Sequence, residues 1–278
     1  MIHVSRIRSL PGWITLAACW LVASVSSAQG PFPGPSGEPL PLADRTAAIE
    51  FLESAPLVRW QEIDDGTNPR KRVVILGRDG VEVRAVFRYM YEHKPGARGF
   101  LDSYRSELAA QALAELLGLP NVPPTAARKL KGKRGSLQLW VFGAKAYAEL
   151  GRERGDTPDP PALRARLDTM RLFDALIANQ DRNPGNILVG DDGRVWWIDH
   201  SRSFGGDQRL RGLDAVGGCE RSFFAALSGL DEAGIRHHVG PFTPYLDDLL
   251  ARRRSLLSWI ASRATDDPGF LRDTDLQL

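Results

Sequence analysis

The stretch 172–204 of this 278-residue chain contains three polar side chains whose types and spacing could do chemistry. Asp181 is followed five residues later by Asn186, and Asp199 comes thirteen residues after that, each at the end of an apolar segment. Carboxylate and carboxamide oxygens suit Mg²⁺ or Mn²⁺, and a carboxylate can accept a proton from a reacting hydroxyl. Phosphoryl transfer needs such groups together with a cation for the phosphates. The stretch therefore predicts a rigid site for metal-assisted chemistry on phosphate.

Simpler interpretations of the same residues explain less of the pattern. An Asx-rich turn at 183–185 accounts for Asp181 and Asn186 but does not predict Asp199. A calcium loop needs glycine at its sixth position, where this chain has Asn186. Residues 199–201 have the letters of a catalytic triad, but neighbours on a strand point to opposite faces and cannot form a relay. The metal-site interpretation accounts for all three side chains.

Hydrophobic periodicity predicts the elements that hold this site. Strands are predicted at 57–63, 72–76, 81–88, 125–130, 136–141, 187–189 and 195–198, and helices at 44–55, 103–117, 161–178 and 244–264. The first five strands form a small antiparallel sheet crossed by one helix, and the rest of the chain is mainly helical. Arg88 ends the third strand, and Glu107 lies beside the apolar stripe of the first long helix after it. The pattern predicts an α+β fold with a β-rich lobe and a helical lobe.

This order of elements resembles the protein-kinase fold. The D-R-x-x-x-N form of residues 181–186 is most similar to its atypical branches, namely phosphatidylinositol 3/4-kinases, HipA-like kinases and secretory-pathway kinases of the Golgi casein kinase type. The resemblance implies that Asp181 is the catalytic base and that Asn186 and Asp199 are the metal ligands. It also implies that Asn179 stands where protein kinases have a histidine.

The resemblance also implies a nucleotide site in the smaller lobe. Arg88 stands where the family has the lysine that pairs with the helix glutamate, here Glu107. Gly66, supported by Thr67, belongs to the loop that covers the phosphates. The implied reaction transfers the γ-phosphoryl group of ATP, with Mg²⁺ or Mn²⁺, to a hydroxyl of a protein, lipid head group or glycan. Because arginine is not equivalent to lysine at such a site, a pseudokinase scaffold that binds nucleotide or metal stays open as an alternative, as does transfer of AMP.

The first 28 residues have the build of a secretory signal peptide. Two arginines precede an apolar run at 13–25, which is shorter than the roughly 20 residues that a membrane-spanning helix needs, and small residues follow. We therefore expect export of a bacterial-type member of the family, with no membrane span after cleavage. The alternative is a lipoprotein signal, in which the lipobox at 16–19 leaves a lipidated Cys19.

Removal of this segment would leave 34 basic and 34 acidic residues, so the sequence does not favour a nucleic-acid partner. Cys219 would be the single remaining cysteine, which excludes an intramolecular disulfide. Proline and glycine dominate 29–42 and predict a linker. We expect a signal peptide at 1–28, this linker, a nucleotide-binding lobe at 43–143 and a helical lobe with the catalytic loop at 144–278. The sequence does not predict an oligomeric state.

Overall fold

The computed structural model describes residues 32–62, 71–94 and 100–273. The predicted signal peptide, Cys19, Gly66 and Thr67 lie outside the described residues. Within the described residues, no helix is long and apolar enough to cross a membrane.

The smaller lobe is built on an antiparallel sheet, as predicted. Its elements are α1 (Arg45–Ser54), β1 (Leu57–Glu62), β2 (Lys71–Arg78), β3 (Val81–Arg88), β4 (Tyr91–Lys94), β5 (Phe100–Ser103), α2 (Tyr104–Leu116), β6 (Thr125–Leu130) and β7 (Lys133–Leu139). Five strands pair in the order β1-β2-β3-β7-β6, while β4 and β5 form a separate antiparallel pair that sequence periodicity did not indicate. Asp44 caps α1, since its Oδ1 accepts a hydrogen bond of 2.8 Å from the amide of Ala47.

Side-chain alternation along β3 separates the core from the site. Val83, Ala85 and Phe87 pack into the hydrophobic cluster of the smaller lobe. Because successive residues of a strand point to opposite faces, Val86 and Arg88 lie on the other face of the sheet. That face is turned toward the larger lobe, where Arg88 meets Asp199.

The larger lobe is mainly helical. Its elements are β8 (Ala144–Ala146), α3 (Tyr147–Arg154), α4 (Pro161–Ile177), β9 (Ile187–Gly190), β10 (Val195–Trp197), β11 (Cys219–Glu220), α5 (Arg221–Gly229), α6 (Glu232–His238), α7 (Leu246–Asp266) and β12 (Leu271–Arg272). A small sheet of order β10-β9-β8 and a parallel pair of β11 with β12 accompany the helices. The core of this lobe also includes four buried side chains of α2, namely Ala109, Ala110, Leu113 and Ala114.

The expectation of a linker is wrong for its described part. Residues 32–42 are folded against the smaller lobe, with Phe32, Leu40 and Leu42 buried in its hydrophobic cluster. Arg252 of α7 is 0% exposed, and its Nε and Nη1 donate to backbone carbonyl groups.

Candidate functional site

Arg182 fastens the loop that carries the predicted base. Its guanidinium contacts Asp174 near the end of α4, with Nε 2.8 Å from Oδ2. Its Nη1 donates to the carbonyl oxygens of Asn186, at 2.9 Å, and Ile198, at 2.7 Å. Charge-assisted bonds of this kind are stronger than neutral ones. One side chain therefore ties together the end of the helix, the end of the loop and the strand that leads to Asp199.

The interior of the loop is ordered by two carboxamides. Asn179 donates from Nδ2 to Asp174 Oδ1 at 2.9 Å and accepts from the backbone amide of Asp181 at 3.0 Å. Asn186 donates from Nδ2 to the carbonyl oxygen of Asp181 at 3.2 Å. With its amide nitrogen used in this way, Asn186 keeps its side-chain oxygen for a ligand.

Asp199 lies beside this loop and has a constrained backbone. The amide of Ile198 donates to the carbonyl of Asn186 at 3.0 Å, so the residues before Asp199 lie against the end of the loop. Asp199 has φ of 59°, in the left-handed region that residues other than glycine rarely adopt. Such outliers concentrate at functional sites, where the surrounding structure enforces them. The structure thus places the backbone segments that carry Asn186 and Asp199 side by side.

Arg88 joins the two lobes through two carboxylates. Its Nε lies 3.4 Å from Glu107 Oε1, and its Nη2 lies 3.5 Å from Asp199 Oδ2. Glu107 is 0% exposed and Arg88 is 2% exposed, whereas the Asp199 side chain is 29% exposed. The fork of the guanidinium suits such bridging, because its donors diverge in one plane. The predicted pair of Arg88 with Glu107 is therefore present and includes Asp199.

The charges of this cluster decide the protonation of both acids. Burial raises the pKa of the Asp199 carboxyl, but Arg88 and then Lys71 outweigh it and hold the pKa below its ordinary value. Burial likewise raises the pKa of Glu107, and the neighbouring Arg88 reverses the shift so that the net pKa is lowered. Both groups are therefore carboxylates at neutral pH. An ionised Asp199 is the form that a cation requires.

His200 is a buried neighbour that sequence reasoning had set aside. Its Nδ1 lies 3.7 Å from Glu107 Oε2, and its ring meets the ring of Phe173 edge-on with centroids 6.1 Å apart. His200 and Asp199 thus point to different groups, which agrees with the exclusion of a triad. The histidine packs the larger lobe against the buried carboxylate of α2.

The predicted base, Asp181, forms an ion pair of its own. Its Oδ2 lies 3.2 Å from Arg202 Nη1, and Arg202 Nε donates to Asp102 Oδ2 at 3.0 Å. The side chains of Asp181 and Arg202 are 44% and 46% exposed, so water screens this contact. The side chain of Asp181 remains accessible from solvent.

A cavity of about 290 Å³ lies between the lobes next to these charges. Its walls in the smaller lobe include Lys71, Val86 and Arg88, and those in the larger lobe include Leu188 and Ile198. Mostly apolar walls with a few charged groups at one end are typical of sites for small organic ligands.

The donor set beside the cavity fits a hard divalent cation. Asn186 and Asp199 offer oxygen atoms only, which Mg²⁺ and Mn²⁺ prefer. Among the described residues, no three His, Cys, Asp or Glu side chains form a preformed metal site. A cation held here would therefore take much of its oxygen shell from phosphate and water, as Mg²⁺ commonly does.

The sequence missed three residues that the structure places at this site. Lys71 lines the cavity, Arg182 fastens the loop, and Arg202 contacts Asp181. Arg182 carried a signal, since it is the arginine of the D-R-x-x-x-N pattern. Arg202 carried none, because its partner Asp102 is distant in sequence. The predicted loop residues Gly66 and Thr67 lie outside the described residues.

Comparison with known proteins places the fold. The structure of hydra Fam20 with sugar superposes with a TM-score of 0.61 at 18% sequence identity, covering 83% of this chain and 93% of that one. The two-lobed α+β fold is kinase-like, as predicted. The Helicobacter pylori proinflammatory kinase CtkA matches with a TM-score of 0.46 at 14% identity, over 77% of this chain and 93% of its own.

The match found by sequence comparison covers a smaller part of the chain than the structural matches do. Protein Rv2133c of Mycobacterium tuberculosis is 32% identical, over 38% of this chain and 48% of the relative. The match thus spans about half the length of this curated relative. No protein-family model matches the chain.

Proposed function

We propose that this protein is a metal-dependent phosphotransferase that moves the γ-phosphoryl group of ATP to a hydroxyl group. The observation that carries the proposal is the convergence of Arg88, Glu107 and Asp199 beside an inter-lobe cavity, next to the fastened loop of Asp181 and Asn186. The kinase-like fold supports it. The acceptor is a protein, a lipid head group or a glycan.

The reaction assigns each residue one task. Asp181 accepts the proton of the acceptor hydroxyl as its oxygen attacks the γ-phosphorus. The bond from that phosphorus to the β,γ-bridging oxygen breaks, and ADP leaves with the electron pair. Asn186 and Asp199 would hold the divalent cation. The cation supplies charge neutralisation on the phosphates when bound. Arg88 keeps Asp199 and Glu107 in register across the lobes.

Binding of nucleotide is tested first by thermal unfolding of the wild-type protein. A ligand that binds only the folded state increases the free energy of unfolding, by about 2.7 kcal/mol at a concentration a hundredfold above its Kd. The unfolding midpoint rises as a consequence. We expect ATP or ADP with Mg²⁺ or Mn²⁺ to raise the midpoint at millimolar concentration. An unchanged midpoint under all four conditions would refute a nucleotide site.

Transfer is then followed with ATP labelled on the γ-phosphate, using the protein itself and mixed acceptors. We expect Asp181→Asn to lower the rate by about 10²-fold or more, since general-base catalysis contributes that much, while ATP binding persists. Asp192→Asn is the control, because Asp192 is an exposed carboxylate in the turn between β9 and β10, paired with Arg194. Label transfer that survives Asp181→Asn and Asp199→Asn would show that this site is not its source. In a parallel reaction with ATP labelled on the α-phosphate, label that reaches the acceptor would identify AMP transfer.

A pseudokinase is the second candidate, favoured by Arg88 at the position of the lysine and by the pairing of Asp181 with Arg202. Nucleotide binding without transfer to any acceptor would support it.

A further inference from the structure

Lys71 lies directly across the sheet from Arg88. The two are opposite partners in the antiparallel ladder of β2 and β3. Opposite residues of such a ladder place their side chains on the same face. Lys71 therefore shares the cleft-facing side with Arg88, and both line the inter-lobe cavity.

The guanidinium of Arg88 is already committed to protein groups. It contacts Glu107 and Asp199 as described, and its Nη1 donates toward Gln138 Oε1 at 3.5 Å. Moving it onto a phosphate would leave the carboxylate of Glu107 buried without its ion pair. Removing one partner of a buried pair is strongly destabilising, because the other charge is left buried without compensation. Arg88 is therefore better suited to organising the cleft than to binding a ligand.

Lys71 is partly exposed and lies at the wall of the cavity. Its side chain is half-buried at the cavity wall, unlike the fully enclosed Arg88. It shares the cavity wall with Arg88, and Arg88 contacts the Asp199 carboxylate that would hold the cation and, with it, the phosphates. A compact ammonium on a flexible stem is a common phosphate ligand.

We propose that Lys71, at the start of β2, is the cation that binds the α- and β-phosphates of the nucleotide, and that Arg88 is a positioning residue. The role that the family resemblance implied for the end of β3 is thereby divided between two strands. This inference rests on the proposed function, because it takes the cavity to be the nucleotide site.

The test compares ligands that differ only in phosphate. Affinities of wild type, Lys71→Met and Lys71→Arg are measured for ATP, ADP and adenosine, with adenosine measured by competition. We expect Lys71→Met to lower the affinity for ATP and for ADP at least tenfold and to leave the affinity for adenosine unchanged. Lys71→Arg should retain most of the affinity for ATP. Lys129→Met is the matched control, since Lys129 is exposed on β6 of the same sheet, outside the cavity.

The outcomes separate the inference from the proposed function. If wild type binds no ATP, the proposed function itself fails. If wild type binds ATP and Lys71→Met binds it equally well, the assignment of Lys71 alone is overturned. A loss of adenosine affinity equal to the loss of ATP affinity would also overturn it, because that pattern indicates a damaged cavity. Failure of Lys71→Arg to rescue ATP binding in a protein that still binds adenosine would count against it too.

Discussion

Asp199 is constrained at the scale of a single residue by both its backbone and its charge. Its left-handed φ of 59° is held by the hydrogen bond from Ile198 to Asn186, one residue earlier. Its carboxylate faces Arg88 at 3.5 Å. The ionised side chain therefore stabilises the folded state in which it is paired.

The stability that Asp199 contributes should depend on pH in a defined direction. Its pKa is lowered in the folded protein from an ordinary value of 3.8, so the contribution is complete above that value and is lost as pH falls through the folded pKa. We expect the difference in unfolding free energy between wild type and Asp199→Asn to be constant from about pH 5 to pH 8. Below about pH 4 the difference should shrink.

Denaturant unfolding at a series of pH values checks this expectation. Asp192→Asn serves as the control, since it removes a carboxylate from an exposed turn. A wild-type advantage over Asp199→Asn that grows toward acid would contradict the assigned direction. If Asp199→Asn and Asp192→Asn have equal unfolding free energies at every pH, the ion pair of Asp199 with Arg88 does not contribute to stability.

At the scale of elements, α7 contacts the segments that flank the candidate site through Arg252. This residue donates from Nε to the carbonyl of Leu176 at 2.7 Å and from Nη1 to the carbonyls of Gly205 and Asp207. Leu176 is in the last turn of α4, directly before the loop of Asp181. Burial lowers the pKa of Arg252 to about 10, which leaves it charged at neutral pH. The helix thus joins the segments on both sides of the candidate site.

Replacing this arginine should destabilise the larger lobe. Arg252→Met keeps the length of the side chain and leaves three carbonyl groups without their donor, at a cost of about 3 kcal/mol or more. Arg254→Met is the matched control on the same helix, because its side chain is 61% exposed and contacts only Glu232 at 3.4 Å. We expect the control to change stability by less than about 0.5 kcal/mol. Equal unfolding midpoints of the two variants would show that the hydrogen bonds of Arg252 to these carbonyl groups do not stabilise the larger lobe.

The sequence predicted those parts of the site that follow local patterns. Asp181, Asn186 and Asp199 come at the ends of apolar segments, and Arg88 ends an alternating strand, so each could be placed from its own neighbourhood. The burial of Arg252 could not be predicted in this way, because periodicity treats arginine as a solvent-facing residue and only tertiary contacts reveal the carbonyl groups to which it donates. Lys71 was missed because its opposition to Arg88 depends on strand register. Neighbourhood alone does not specify register.

At the scale of the molecule, each lobe takes part of its core from outside itself. The hydrophobic cluster of the smaller lobe includes Trp196 of β10, and that of the larger lobe includes Leu113 of α2. Phe32 in the N-terminal segment packs against Trp196 with ring centroids 6.3 Å apart. The segment 32–42 is closed by a hydrogen bond of 2.7 Å from the amide of Leu40 to the carbonyl of Phe32. The lobes and this segment therefore share apolar contacts that favour cooperative folding.

Phe32→Ala tests whether this segment belongs to the folded domain. Because Phe32 is 3% exposed in a packed cluster, its truncation should cost about 3 kcal/mol and lower the unfolding midpoint by several degrees. Ser36→Ala is the control, since Ser36 is exposed in the turn of the same segment. Calorimetry of the full chain measures both variants. If the unfolding midpoint of Phe32→Ala equals that of Ser36→Ala, the segment does not contribute to stability and acts as the linker that composition predicted. A lowered midpoint with a single transition would instead make the segment a structural part of the smaller lobe, because loss of one aromatic contact would then affect the whole cooperative unit.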